Sequence, residues 1–134
     1  MSRENVEIVR QAWDAWGRGD VDGVVALGTE DLVFGTTHIR DWPESEYKGH
    51  DGFRRFMTEW FEVWDEFEVG VDEHIAAPDG RVVSLFWQRG KGRHSGLSME
   101  TAWAMVTTVR GDRLSRAEVY DDRPEALRAA GLEQ

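Results

Sequence analysis

Gly49-His50-Asp51-Gly52-Phe53-Arg54-Arg55-Phe56-Met57-Thr58-Glu59-Trp60-Phe61-Glu62-Val63-Trp64 is the stretch from which the rest of the chain is read. Phe53, Phe56, Met57, Trp60, Phe61 and Trp64 fall at i, i+3, i+4, i+7, i+8 and i+11, one wide apolar stripe on a helix predicted over residues 49–64. Directly after it the hydrophobic period drops to two: Phe67, Val69 and Val71 alternate with Glu68, Gly70 and Asp72, as in a half-buried strand. A long amphipathic helix that hands over to alternating strands has a sheet to pack against.

Downstream, Pro78-Asp79-Gly80 is a turn, and residues 81–89 form a strand. Gly90 to Gly96, with Lys91, Arg93 and His94, reads as a hairpin loop, and Leu97 to Val109 as a further strand. Arg110-Gly111-Asp112 is a tight turn into a last strand from Arg113 to Tyr120. Asp122 caps a short final helix, with Pro124 in its first turn, Glu125 in capping-box position, Leu127 as anchor and Gly131 as stop. Upstream, residues 3–17 read as a helix capped by Ser2, with Val6, Val9, Trp13 and Trp16 at helical spacing. Gly17-Arg18-Gly19-Asp20 breaks it, and Asp20 caps a short second helix carrying Val21, Val24, Val25 and Leu27 and ended by Gly28. Leu32 to Thr36 is a short strand with Leu32, Phe34 and Thr36 on one face; residues 37–48, with Pro43, read as a loop that also holds Trp42 and Tyr47. Strands joined by short turns are expected to be antiparallel, with the helices packed on one face of a curved sheet.

The 134 residues fit one domain spanning 1–134, large enough to bury its own core. The chain has no cysteine, which excludes disulfides, thiolate metal sites and cysteine nucleophiles. A net charge of −10 argues against nucleic acid and anionic membranes as partners. No apolar run precedes Arg3 and Glu4 and none reaches the length of a membrane span, so a soluble cytoplasmic protein without a signal peptide is expected. Seven tryptophans supply large rigid apolar surface for a core, a ligand cavity or a dimer face. His38, His50, His74 and His94 have no metal-ligand spacing, and no serine triad, phosphate loop or dinucleotide fingerprint occurs, so neither metal nor cofactor is expected.

Several segments carry a resemblance to the SnoaL-like proteins of the nuclear transport factor 2-like superfamily. They are residues 9–13, 19–22, 25–27, 30–34, 47–52, 110–114 and 118–127, the last reading Glu118-Val119-Tyr120-Asp121-Asp122-Arg123-Pro124-Glu125-Ala126-Leu127. The resemblance implies an α+β conical barrel: a strongly curved antiparallel sheet wrapped around the long helix, N-terminal helices on its concave face, a deep apolar pocket, and a convex face that often makes a dimer. It does not select among the isomerases, polyketide cyclases, epoxide hydrolases, dehydratases and scaffolding members of the superfamily. Aligned on it, Ala12, Thr36 and Ala104 stand where ketosteroid isomerases carry a tyrosine, a carboxylate base and a protonated aspartic acid, so that route is not expected.

With the last hairpin centred on Gly111, Ala104 is expected to face Glu118, Ala102 to face Tyr120 and Val106 to face Arg116. The resemblance puts that face, with Glu100, on the pocket. Arg116 and Glu118 are then candidates to hold a water or a ligand carbonyl, or else form a satisfied ion pair, and His38, continuing the Phe34–Thr36 face at the mouth, is a candidate base. Asp122 is read as a cap and Asp121 as a group at the mouth. The expected ligand-binding residues are Trp16, Phe34, Thr36, Trp42, Tyr47, Phe56, Trp60, Trp64, Glu100, Ala102, Ala104 and Tyr120; the expected catalytic set is Glu118, Arg116 and His38. Trp103 and Met105, of opposite parity, are expected on the outer face, covered in a homodimer. The functional expectation is a small-molecule-binding protein, with cofactor-free isomerisation, cyclisation or hydrolysis of an apolar cyclic substrate among its chemistries. The alternative is a noncatalytic binding or accessory protein acting through its pocket or dimer face.

Overall fold

The computed structural model describes residues 2–42 and 44–132; the Ser2 side chain and Pro43 lie outside the described residues. In chain order the elements are α1 (Ser2–Gly17), α2 (Val21–Ala26), β1 (Gly28–His38), β2 (Glu46–Lys48), α3 (Gly49–Glu62), β3 (Trp64–Ala76), β4 (Val82–Gly92), β5 (Ser98–Arg110), β6 (Arg113–Tyr120) and α4 (Arg123–Ala129). The caps do what the sequence suggests: Asp20 accepts a hydrogen bond from the Gly23 amide, and Asp122 from that of Glu125. Gly111 and Gly131 sit at φ +68° and +77°, where a side chain would be strained.

The six strands form one sheet in the order β2-β1-β6-β5-β4-β3, curved but not closed, so the molecule is a cone with an open seam rather than a complete barrel. β3 to β6 are a plain antiparallel meander, whereas β1 pairs parallel with β6. That parallel pair has no short-turn signature, because β2, α3 and three strands lie between its members. β2, only three residues long, falls in the segment read as loop; it is too short to show a period of two. β1 is also longer than expected, reaching back to Gly28 and on to His38. Helix α3 ends at Glu62, so Trp64 belongs to β3 and not to the helical stripe.

Apolar residues bury on both faces of the sheet. Inside the cone, α1 packs over β3 and β4 and α3 over β1, with Val9, Leu32, Phe34, Phe56, Met57, Trp60, Phe86 and Val119 in the main core. On the outer face α4 covers a second, smaller core of Val83, Ala104, Val106, Tyr120, Ala126 and Ala130. No helix among the described residues is long and apolar enough to cross a membrane.

Candidate functional site

Which residues look into the cone is fixed by the pleat. Phe86 and Gln88 on β4, Trp103, Met105 and Thr107 on β5, and Ala117 and Val119 on β6 point inward, meeting Leu32 and Phe34 of β1, Val9, Ala12, Trp13 and Trp16 of α1, and Phe53, Phe56 and Trp60 of α3. Ile39 and Trp42, from the segment after β1, complete the wall. Between them lies a cavity of about 80 Å³, about half of the ~150 Å³ apolar cavity that takes up a benzene. The cone is mostly filled by its own rings. Phe34 stacks on Phe53 at 5.1 Å and meets Phe56 at 4.3 Å, Trp42 lies 5.6 Å from Trp60, and Trp13 lies 4.8 Å from Phe86.

Among the expected ligand-binding residues, Trp16, Phe34, Trp42, Phe56 and Trp60 line this cavity. Thr36 is buried beside it, its hydroxyl donating to the Glu44 carbonyl. Tyr47 is 2% exposed and stands behind the wall; its hydroxyl accepts from the Trp42 indole at 3.1 Å and the Arg55 guanidinium lies over its ring. Trp64 packs edge-on against Trp60 at the end of α3.

The hairpin face is reversed relative to the expectation. β5 and β6 pair as Ala104↔Tyr120, Val106↔Glu118 and Thr108↔Arg116, a shift of two residues, with an irregularity between Thr108 and Val109. A two-residue shift keeps parity, so Arg116, Glu118, Tyr120, Ala102 and Ala104 do share a face, but it is the outer one. Ala104 is fully buried because α4 seats Ala126 on that face, so its small side chain makes room for a helix and not for a ligand. Glu100 and Ala102 are exposed on the same side. Conversely Trp103 and Met105 point into the cone, and the homodimer contact expected of them is not on the outer surface. The physical signal was in the sequence: Trp103, Met105, Thr107, Ala117 and Val119 make a far less costly cavity lining than Arg116 and Glu118.

His38 is on the outer face too. A register irregularity between Gly35 and His38 turns the end of β1, so His38 pairs with Tyr120 instead of continuing the Phe34 face. There the three expected catalytic residues do come together. Arg116 Nε donates to Glu118 Oε1 at 3.0 Å and its Nη2 to Glu46 Oε2 at 2.9 Å; His38 Nε2 lies 3.5 Å from Glu118 Oε2 and its Nδ1 3.7 Å from Glu125 Oε1. The imidazole stacks on the Tyr120 ring at 4.1 Å. The hydrogen bonds that Arg116 donates to Glu118 and then to Glu46 push its pKa further up, and burial does the same to the Tyr120 phenol. Asp121 is occupied as well, accepting from the Arg40 amide at 2.9 Å.

Sequence reasoning missed Gln88, Thr107, Trp103 and Met105 as cavity residues. Gln88 is 4% exposed, lines the cavity and has no side-chain hydrogen-bond partner among the described residues. Its signal was a lone amide on the apolar face of a strand, at the same parity as Phe86. No cluster of three or more metal-ligating side chains occurs among the described residues.

A cone of curved open sheet, filled from one side by a long helix and from the other by the N-terminal helix, defines the nuclear transport factor 2-like class of α+β domain. The SnoaL-like domain pattern matches residues 9–117, and the chain belongs to that family. No curated protein matches it. Among solved structures it is similar to an NTF2-like protein from Burkholderia xenovorans LB400, with 26% identity, coverage of 97% of both chains and a TM-score of 0.74. It is also similar to an NTF2-like protein of unknown function from Burkholderia pseudomallei K96243, at 23% identity over 95% of this chain and 97% of that one, TM-score 0.77. A Mycobacterium tuberculosis protein in complex with estradiol-17beta-hemisuccinate has 15% identity over 87% and 92% of the two chains, TM-score 0.72.

Proposed function

We propose that this protein binds a small, largely apolar molecule inside the cone and acts through binding rather than acid–base catalysis. One observation carries the reading: none of the residues lining the cavity is ionisable. Isomerisation, cyclisation and epoxide opening without a cofactor all need a proton donor or acceptor within hydrogen-bond reach of the reacting atom. The groups expected to supply it, Glu118, Arg116 and His38, are on the outer face, where their ion pairs tie β2, β1, β6 and α4 together. Their role in this reading is to hold the cone's wall in place.

Small molecules bound by similar structures support a ligand. TerC was co-crystallised with polyporic acid, and the M. tuberculosis protein was solved with a steroid ester. A cavity of about 80 Å³ takes such a molecule only if its walls move. Trp13, Trp16, Trp42, Trp103 and Met105, all only partly buried, are the wall side chains that such a movement would involve in this reading.

The test is titration with N-phenyl-1-naphthylamine, an uncharged probe that brightens in apolar surroundings. One saturable site per chain is expected. Ala117→Leu, which fills the cavity from its wall, is expected to weaken the probe about tenfold or more while Tm moves by only a few degrees. Absence of saturable binding, or binding that Ala117→Leu leaves unchanged in a folded protein, overturns the reading.

A further inference from the structure

The last strand of the sheet is open along its outer edge. β3 pairs with β4 only, and among the described residues no hydrogen bond outside that ladder reaches the backbone of residues 68–74. Every second residue of an antiparallel end strand turns its amide and carbonyl away from the sheet, where another strand can pair with them. Beside this edge runs an open groove of about 490 Å³. One wall is residues 69–74 of β3; the other is α1, through Arg10, Trp13, Asp14 and Gly17. Adjacent strand residues face opposite sides of a sheet, so consecutive ones share a groove only where it follows the strand's edge. The helix residues fall at i, i+3, i+4 and i+7, a single face of α1. The groove therefore has a free strand edge on one side and a helix on the other.

Two features select what can pair there. The β3–β4 register is irregular between Asp65 and Glu68, where Glu66 has φ +53°, and again between Val71 and Glu73. Between these points the strand runs regularly from Glu68 to Val71, about 13 Å, which suits a short extended segment rather than a second sheet. The edge is also acidic: Asp65, Glu66, Glu68, Asp72 and Glu73 follow one another along β3 in a chain of net charge −10. A second copy pairing through the same edge would set these carboxylates against each other. The groove carries Asp14, Asp72 and Glu73 against Arg10, which is already bonded to Glu7 and Asp14. Glu73 has no ion pair among the described residues. The pleat sorts the contacts by side. Val69 and Val71 share the inward parity of their partners Gln88 and Phe86, the side on which α1 packs, and Glu68 and Glu73 face outward.

We propose that the groove between α1 and β3 receives an extended segment of a partner protein in which apolar and basic residues alternate. The segment adds a strand beside Glu68–Val71. Its apolar side chains lie with Val69, Val71 and Trp13, and its lysines or arginines reach Glu68 and Glu73 on the outer side. This surface is distinct from the cavity inside the cone; Trp13 alone borders both.

The probe is the peptide acetyl-Lys-Val-Lys-Val-Lys-amide, titrated at low salt into ¹⁵N-labelled protein while the backbone amides are followed. Saturable shifts are expected at residues 68–71 and along the facing side of α1. Acetyl-Glu-Val-Glu-Val-Glu-amide is expected to bind at least about tenfold more weakly. Two further peptides carry N-methyl groups, one on its valines and the other on its lysines. An added strand turns only alternate amides toward β3, so one of these is expected to lose about tenfold and the other to bind nearly as before, a difference that charge attraction alone does not produce. A Cβ at Gly17 meets nothing within 4 Å, so Gly17→Trp has room to fill the groove, with an expected loss of about tenfold. Glu73→Lys, on the other wall, is expected to cost roughly fivefold. The proposal falls if the peptide gives no saturable shift, if the two methylated forms bind alike, if the acidic peptide binds as well as the basic one, or if neither substitution weakens binding. It falls equally if the edge amides shift with protein concentration alone, which would make a second copy the occupant.

Discussion

Gly35 has its effect through what it lacks. A Cβ built there would stand 3.1 Å from Glu118 Cγ, so the bare backbone lets Glu118 lie across β1 and reach both Arg116 and His38 without shifting by a few tenths of an ångström. The cluster this creates is half in solvent: the Arg116 side chain is 41% exposed and that of Glu118 27%. Screening by water keeps such pairs within about 1 kcal/mol, and Arg116 still has Glu46 when Glu118 loses its charge. Glu118→Gln is therefore expected to lower urea-derived stability by less than about 1 kcal/mol and to leave the affinity of the naphthylamine probe unchanged. A tenfold loss of probe affinity in a variant of normal stability would return Glu118 to the ligand's path. Arg123 is more deeply engaged: its guanidinium donates to the carbonyls of Phe86 and Trp103, at 2.8 and 3.1 Å, and to Asp72. Two cross-strand partners are thereby fastened to the start of α4.

At the scale of elements, the packing of α1 on β3 and β4 carries a titratable group in its interface. His74 on β3 bonds through Nδ1 to Ser84 Oγ of β4 at 2.8 Å, and Ser84 is fully buried. Burial lowers the His74 pKa below its ordinary 6.5; Asp14 on α1 opposes that shift and Arg10 on α1 adds to it. Because the folded state holds the imidazole less basic than the unfolded chain does, the unfolded state binds the extra proton first. Stability is thus full above the unfolded pKa of about 6.5, falls as the pH drops below it, and stops falling once the pH is beneath the folded pKa. Urea melts of the wild type at pH 7.5 and 5.5 are expected to show a larger loss than the same pair for His74→Asn; equal losses would remove His74 as a source of acid sensitivity. What the sequence made legible at this scale follows the same physics. The helices, their caps and the β3–β6 meander were readable because periodicity and turn chemistry are local. β2 and the parallel β1–β6 pair were not, since three residues have no measurable period and a pairing across some eighty residues leaves no local mark. The face of β5 and β6 was misread because parity was followed correctly but the inward side was assigned by resemblance. The choice between Arg116 with Glu118 and Trp103 with Met105 as cavity wall could have been made from the cost of burying charge.

The sheet of the whole molecule is buried on both faces, and the two burials do different things. The inner core surrounds the cavity; the outer one, under α4, contributes no residue to the cavity wall. α4 nevertheless covers Val83, Ala104, Val106 and Tyr120, which are 0%, 0%, 5% and 6% exposed. Its own contribution comes from Ala126 and Ala130, almost completely buried, and Leu127, partly buried. Burying a leucine is worth about 1.5–3 kcal/mol, and with two alanines and the strand residues they shield the helix supplies on the order of 3–5 kcal/mol. A domain of this size has only about 5–15 kcal/mol in total. Removing residues 122–134 is therefore expected to lower Tm by about 10–20 °C and to cause concentration-dependent association through the bared strand face. Asp122→Ala, which takes away only the cap, costs about 1 kcal/mol, and Leu127→Ala falls between the two. Below its lowered Tm the truncated protein is expected to bind the naphthylamine probe with wild-type affinity, because every wall of the cavity is still present. Calorimetry and probe titration of the three variants decide the matter. A truncated chain that melts within a few degrees of wild type would make the outer core a passive cover, and one that stays folded but loses the probe would couple α4 to the inside of the cone.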